Sequence, residues 1–181
     1  MLGRVAALCA AVLMLVGGAA AAGGTTWDKN AGWLREQIRA CVDRAEEFAC
    51  RYFPARALNQ LFGIGEFCPG ERCLLAHEIA AQIEKGGQWT ALGKATDQAI
   101  LNQAHEMATG GLPVIAVQAT QDKGLVAIVM PGKPTASLSW SLTVPLAVGT
   151  RLDRPEASVY SQGLSFLFSD PSKVTLYVQK W

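Results

Sequence analysis

The sequence predicts an α+β fold in which N-terminal helices pack on a C-terminal antiparallel sheet. Apolar residues recur at helical spacing as far as about residue 108, and β-branched runs separated by turn residues dominate the rest of the chain. Helices and strands that are segregated along the chain, rather than alternating, are typical of an antiparallel sheet covered by helices.

Residues that start or end helices bound the predicted helices. Pro54 is tolerated only in the first turn of a helix, so the helix that contains it must begin close to Cys50, and Gly63 ends it. The glycine pairs at 86–87 and 110–111 end two later helices. The predicted helices span residues 33–48, 50–63, 74–85 and 98–108.

Five strands are predicted after these helices. Each is a β-branched or alternating run, and turn residues at 122–124 and 131–132 bound the second of them. Trp140 falls on the alternating third strand and is expected to be buried. The predicted strands span residues 113–117, 125–130, 137–146, 164–168 and 174–178.

The N-terminal residues have the pattern of a signal peptide. Arg4 provides the positive charge, residues 5–16 form an apolar core, and the small residues that follow suit cleavage after Ala21 or Ala22. The apolar core is too short to span a membrane, and no second run is long enough, so we expect export to a periplasm or secretion. The predicted division is a signal peptide at 1–22 and a single α+β domain at 23–181.

The charge balance argues against nucleic acid as a partner. Lys and Arg number 16 against 15 Asp and Glu, and no basic block or charged tail is present. No spacing of Cys and His resembles a zinc site, and the glycine pairs end helices rather than forming a phosphate-binding loop after a strand. The sequence therefore predicts no metal and no cofactor.

Four cysteines follow the predicted signal peptide, and four cysteines in an oxidising compartment can form two disulfides in three alternative pairings. Cys68 and Cys73 flank a turn-like Pro-Gly-Glu-Arg segment, which favours a bridge between them. Cys41 and Cys50 then either pair with each other or leave Cys50 free. The dipole of a helix favours the thiolate of a free cysteine at its N-terminus, and the thiolate is the nucleophilic form.

Two motifs downstream of Cys50 resemble a known family. The first, at 102–117, contains Ala-Thr-Gly-Gly-Leu-Pro-Val-Ile-Ala-Val, and the second, at 124–132, is Gly-Leu-Val-Ala-Ile-Val-Met-Pro-Gly. Their order after a cysteine-headed helix resembles the papain-like cell-wall hydrolases of the CHAP and NlpC type, over about residues 42–178. The resemblance implies a papain-like fold and hydrolysis of amide bonds in peptidoglycan by a cysteine, a histidine and a third polar residue.

By position, the resemblance makes Cys50 the nucleophile and places the histidine where this chain has Leu125. Leucine cannot transfer a proton, and loss of one member of such a triad removes several orders of magnitude in rate. His105 and His77 are the candidates for a replacement base, and His105 is preferred because its helix should pack near the sheet. Both are more simply explained as half-exposed helix residues. Trp89 is the candidate for stacking on a ligand, and no third catalytic residue is assigned.

These expectations give three hypotheses. The first is an exported protein with a peptidoglycan hydrolase fold that is catalytically impaired and binds a cell-wall fragment or an envelope or secreted protein. The second is an active peptidoglycan amidase or endopeptidase that uses Cys50 with a relocated base. The third is a disulfide-stabilised secreted structural or inhibitory protein without a groove. A disulfide at Cys50 would count against the second hypothesis.

Overall fold

The computed structural model describes residues 22–44, 46–120 and 124–180. This part of the chain contains five α-helices and a six-stranded antiparallel sheet, which confirms the predicted α+β class. The predicted signal peptide lies outside the described residues except for Ala22, which begins the first helix. No helix in the described ranges is both long enough and apolar enough to cross a membrane.

Four helices come first in the chain, and a fifth lies between the first and second strands. The helices are α1 (Ala22–Val42), α2 (Glu47–Arg51), α3 (Phe53–Phe62), α4 (Ala76–Glu84) and α5 (Gln98–Thr109). The strands are β1 (Trp89–Lys94), β2 (Val114–Gln118), β3 (Leu125–Ser137), β4 (Leu142–Gly149), β5 (Val159–Gly163) and β6 (Thr175–Gln179). Short 3-10 turns lie at Pro155–Ala157, Leu164–Phe166 and Pro171–Lys173.

The helices around Cys50 are more broken than predicted. Cys50 lies in the short α2, and Tyr52, with φ −104° and ψ 6°, separates α2 from α3. Pro54 lies in the first turn of α3, as the sequence predicts, and Gly63 ends the helix with a φ of 70°. The helix predicted at 50–63 is therefore two consecutive helices.

The strands differ most from prediction near the end of the chain. The segment predicted as a strand at 164–168 is largely a 3-10 turn, and the edge strand β5 precedes it. Trp140 lies in the turn between β3 and β4 rather than in a strand, but it is buried as expected. Its indole N–H donates to the carbonyl of Phe168 at 3.1 Å. The alternation of apolar and polar residues thus correctly predicts that Trp140 is buried, but it does not predict that Trp140 lies in a turn.

Two strands, β1 and β3, differ from the prediction where their pairing with a neighbouring strand is irregular. β3 continues through the Pro131-Gly132 pair that was expected to end it, and its pairing with β4 shifts register between Met130 and Thr135. β1 was not predicted, because Gly93 interrupts its pattern. Gly93 has a φ of 146° and lies where the pairing of β1 with β6 shifts register. A bulge therefore accounts for the strand that the sequence pattern misses.

Helices cover both faces of the sheet, whose strand order is β1-β6-β2-β3-β4-β5. Along β3, Val126 and Ile128 belong to the core that α1, α3 and α4 complete, whereas Ala127 and Val129 belong to the core that α5 completes. This alternation follows the two-residue period of a strand. The sheet therefore separates side chains on α5 from those on α3 and α4.

Glu78 stabilises the first turn of α4, and we expect its contribution to depend on pH. Its carboxylate accepts a hydrogen bond from the backbone N–H of Leu75 at 2.8 Å and also pairs with Arg72. The bond from Leu75 is the main cause of a lowered pKa of Glu78, and Arg72 adds to it. A carboxyl group with a lowered folded-state pKa stabilises the protein above its unfolded pKa of about 4.3. This stabilisation is lost as the pH falls through the folded-state pKa.

Glu78→Gln should therefore reduce the free energy of unfolding by only about 0.5 kcal/mol at pH 7, because glutamine can still accept the hydrogen bond from Leu75 and only the charge is lost. The difference from the unsubstituted protein should shrink as the pH falls from about 4.3 toward 3. Urea unfolding at several pH values measures both quantities, and Glu71→Gln, at an exposed loop position, is the control. A loss that stays constant down to pH ~3 would contradict the assigned role of the Glu78 charge.

Candidate functional site

A cavity of about 660 Å³ opens where α2 and α3 face the start of α4 and the ends of strands β2, β3 and β4. Its volume lies in the range of about 300–1,000 Å³ that is usual for small-molecule sites. We name it the Cys50 cavity. The described residues that line it are Cys50, Arg51, Pro54, Leu75, Ala76, His77, Gln118, Thr120, Gly124, Leu125, Thr150, Arg151, Leu152, Asp153 and Ser169.

Cys50 does not present a free thiol to this cavity. Its sulfur is bonded to the sulfur of Cys41, at the C-terminal end of α1, with an S–S distance of 2.02 Å. Both residues are buried, Cys50 to 4% exposure. A second disulfide joins Cys68 to Cys73. Because only a thiolate is nucleophilic, Cys50 cannot attack a carbonyl group while this bond is intact.

A hydrogen bond from Thr150 also holds the backbone of Cys50. Pro54 has no N–H group, so it cannot donate the helical hydrogen bond that the Cys50 carbonyl, four residues earlier, would otherwise accept. The hydroxyl of Thr150 donates to this carbonyl at 2.7 Å, and the contact is buried. Thr150, the residue after β4, thus supplies the hydrogen bond to the Cys50 carbonyl that the helix cannot provide. This contact positions α2 against the end of β4.

Leu125 begins β3 and lines the same cavity as Cys50. It pairs in register with Gln118 at the end of β2. The preceding Gly124 packs against the start of α4, where an added Cβ would lie 2.5 Å from the backbone nitrogen of His77. The position that the resemblance assigns to the base is therefore an apolar part of the cavity wall.

His77 lines the Cys50 cavity, whereas His105 does not. His77 lies in the first turn of α4. His105 lies on α5, which packs on the sheet as expected but on the face opposite to α3 and α4. The reason for preferring His105 therefore fails, since the sheet separates it from Cys50. Its Nδ1 atom is buried and has no hydrogen-bond partner in the described part of the chain.

Trp89, the predicted ligand-stacking residue, is not among the described residues that line the Cys50 cavity. It lies in β1 and is only 8% exposed. Its ring packs 5.9 Å from the ring of Phe67, and its indole N–H donates to Glu66 at 2.7 Å. Because these contacts use both the face and the polar edge of the indole, Trp89 is a core residue.

Two arginines in the cavity wall were missed in the sequence analysis. Arg151 donates to both carboxylate oxygens of Asp153, at 3.1 and 2.7 Å, and to the carbonyl of Leu167 at 3.0 Å. The hydrogen bonds from Arg151 lower the pKa of Asp153. Arg51 pairs with Glu47 through Nη2, and its Nε is buried without a partner among the described residues. Arg51 could have been predicted as a cavity residue, because it follows Cys50 in the sequence. Arg151 could not, because only the fold brings it to the cavity.

Neither the models of known protein families nor the curated proteins that were compared with this sequence match it. In the described ranges, no group of three or more His, Cys, Asp or Glu side chains is placed to hold a metal ion. The geometry of the Cys50 cavity is therefore the basis for assigning a function.

Gly124→Ala should destabilise the protein by about 1–3 kcal/mol, because the new methyl group would overlap the backbone of α4. Gly65→Ala is the matched control, since a Cβ at Gly65 would meet nothing within 4 Å. Urea unfolding of the two variants measures the difference. If both glycines tolerate alanine equally, β3 and α4 do not pack as closely as described.

The Cys41–Cys50 disulfide should leave no reactive thiol at Cys50 in the oxidised protein. Intact mass after iodoacetamide treatment, followed by peptide mapping, should show four unmodified cysteines after residue 22. Replacing both Cys41 and Cys50 by serine should cost about 2–3 kcal/mol in the free energy of unfolding, because the bridge constrains the unfolded chain. Rapid alkylation of Cys50 without a reductant would contradict the pairing.

Proposed function

We propose that the protein is an exported, catalytically impaired relative of papain-like peptidoglycan hydrolases, and that its Cys50 cavity binds a peptidoglycan fragment without cleaving it. One observation carries the proposal. The positions that the resemblance gives to the nucleophile and the base, Cys50 and Leu125, line one cavity, yet the first is bonded in a disulfide and the second is apolar. This arrangement keeps a ligand-sized cavity while removing both reacting groups.

The walls of the cavity support binding of a small peptide-containing ligand. Leu75, Leu125 and Leu152 supply apolar contact area, and Gln118 and Ser169 add polar groups at the wall. A cavity that combines apolar surface with a few polar groups is typical of small-molecule sites. Its presence also argues against the hypothesis of a structural or inhibitory protein without a groove.

The two disulfides support export. Structural disulfides persist in oxidising compartments and are rare in the reducing cytosol. Both bridges described here are intramolecular and join residues close in sequence, at separations of 9 and 5 residues. They agree with the signal peptide predicted at 1–22, and the two together support the proposed periplasmic or secreted location.

The position of His77 is the observation that favours an active hydrolase as the second candidate function. His77 lines the cavity with Cys50 and is the only one of the two candidate bases among its described lining residues. Hydrolysis would require reduction of the Cys41–Cys50 bond before the thiolate could form. Because an oxidising compartment maintains that bond, we favour binding over cleavage. A protein partner bound at the same cavity is a further alternative.

Soluble muropeptides should bind the oxidised protein, and the Cys50 cavity should be where they bind. Isothermal titration calorimetry with muropeptides released by a muramidase measures the affinity. Ser169→Trp should weaken binding at least about tenfold by narrowing the cavity, since one tenfold step corresponds to about 1.4 kcal/mol. Ser139→Trp, at an exposed position in the turn after β3, should leave the affinity unchanged.

Chromatography of intact sacculi incubated with the oxidised protein should show no new muropeptides. New products that disappear in Cys50→Ala would establish the hydrolase instead. Absence of muropeptide binding by correctly folded protein would refute the proposal. Retention of an envelope protein that Ser169→Trp abolishes would then identify the cavity as a protein-binding site.

A further inference from the structure

A second cavity, of about 320 Å³, lies between α1, α3 and the loop that follows α3. We name it the Arg56 pocket. Its volume is at the lower end of the range that is usual for small-molecule sites. The function proposed above does not involve this pocket. The described residues that line it are Trp33, Arg56, Asn59, Gln60, Cys68 and Cys73.

Arg56 is the only charged residue in the described wall of this pocket, and no carboxylate balances it there. Its guanidinium carbon lies 5.6 Å from the centre of the Trp33 ring and 5.2 Å from the centre of the Phe48 ring. Its Nη1 donates to the side-chain oxygen of Gln37 at 2.8 Å. Within the described ranges Arg56 forms no ion pair. The two rings and the amide therefore hold the guanidinium in place without neutralising its charge.

The remaining donors of Arg56 are accessible. A guanidinium has five N–H groups, and Gln37 accepts from one of the three nitrogens. In the described part of the chain, no nitrogen of Arg56 is both buried and without a partner, so the N–H groups on Nε and Nη2 reach solvent. These two nitrogens form the planar fork that matches the two oxygens of a carboxylate. Arg51 differs, because its Nε is buried and its Nη2 pairs with Glu47.

Two side-chain amides complete the polar part of the wall. Asn59 and Gln60 are exposed residues of α3, about one turn after Arg56. Nε2 of Gln60 donates to Oδ1 of Asn30 at 2.8 Å, and Nδ2 of Asn30 donates to the carbonyl of Thr26 at 2.9 Å, so these bonds orient Gln60. A side-chain amide both donates and accepts hydrogen bonds. Hydroxyl groups do the same, and the amides therefore suit a hydroxylated ligand.

We propose that the Arg56 pocket binds a sugar acid, that is, a carboxylate carried on a hydroxylated ring. Arg56 receives the carboxylate through Nε and Nη2, and the amides of Asn59 and Gln60 pair with hydroxyl groups. The indole of Trp33, which stacks on Phe53 at a centroid distance of 6.5 Å, supplies apolar contact to the C–H groups of the ring. Phosphate fits less well, because it carries more charge at neutral pH and the described wall offers a single guanidinium. The inference is independent of the function proposed above.

Titration of two sugars that differ in one group tests the proposal. D-Glucuronate carries a carboxylate where D-glucose carries a hydroxymethyl group, and calorimetry measures the affinity of the oxidised full protein for each. Glucuronate should bind at least about tenfold more tightly, because it gains hydrogen bonds between charged partners. Inorganic phosphate and acetate are titrated as competitors at equal ionic strength. Both should displace glucuronate only at higher concentration than glucuronate itself requires, since neither presents a hydroxylated ring to the amides.

Variants assign the effect to the pocket. Arg56→Gln should remove the preference for glucuronate over glucose, and Arg56→Lys should keep part of it, since lysine keeps the charge but lacks the planar fork. Asn59→Ala, at an exposed position, should weaken binding of both sugars by a similar factor. Arg44→Gln is the matched control, because Arg44 pairs with glutamates and is not among the described residues lining the pocket. It should change neither affinity.

Several outcomes would overturn the inference. Equal affinity for glucuronate and glucose would show that the pocket does not recognise a carboxylate. Tighter binding of phosphate than of glucuronate, or a loss in Arg44→Gln equal to that in Arg56→Gln, would also count against it, as would absence of binding at millimolar concentrations. The comparison of the two sugars uses the unsubstituted protein, so it decides the matter even if a variant fails to fold. Muropeptide binding is measured separately with Ser169→Trp, so failure of this inference leaves the proposed function standing.

Discussion

The Cys41–Cys50 disulfide is the constraint on which the site depends. It ties the end of α1 to α2, while the hydroxyl of Thr150 holds the Cys50 carbonyl that Pro54 leaves without a helical partner. Cys50 is therefore attached through its side chain to one helix and through its backbone to the end of β4. These two attachments fix one side of the cavity and at the same time remove the thiol that would react within it. The disulfide thus contributes to the shape of the site and also determines that Cys50 has no free thiol.

The sheet imposes a second constraint, because it divides the molecule into two cores. The alternation along β3 sends Val126 to the core with α3 and α4, and Ala127 to the core with α5. Whether a side chain can take part in the Cys50 cavity therefore depends on which helix carries it. His77 meets this condition on α4, and His105 on α5 does not. Proximity to the sheet, on which the preference for His105 was based, does not specify a face of the sheet.

The sequence predicts the parts of this fold that local chemistry determines. The Pro54 and Gly63 boundaries of α3, the start of α5 after Asp97 and the β-branched strands all depend on residues close in sequence. The errors have another origin. Residues 164–168 have the composition of a strand, but the edge strand β5 ends at Gly163 and the chain continues as a 3-10 turn. Composition also cannot distinguish Trp89 in the core from an indole in a groove, because its partners Phe67 and Glu66 lie more than twenty residues away. Among the residues that line the cavity, Cys50 and Leu125 could be identified from sequence motifs. Thr150 and Arg151 could not, because only the fold places the end of β4 beside Cys50.

The proposed binding function is compatible with both Leu125 and the Cys41–Cys50 disulfide. Without a base, a free thiolate at Cys50 would gain little in hydrolysis, and in an oxidising compartment it would be open to oxidation and mixed disulfides. Pairing with Cys41 removes this reactivity and adds stability to α1 and α2. A leucine at the start of β3 also needs no hydrogen-bond partner in the cavity wall, whereas a histidine at that position would need one. Under the proposed function, binding in such a cavity depends on apolar contact with Leu125 and the leucines beside it in the wall.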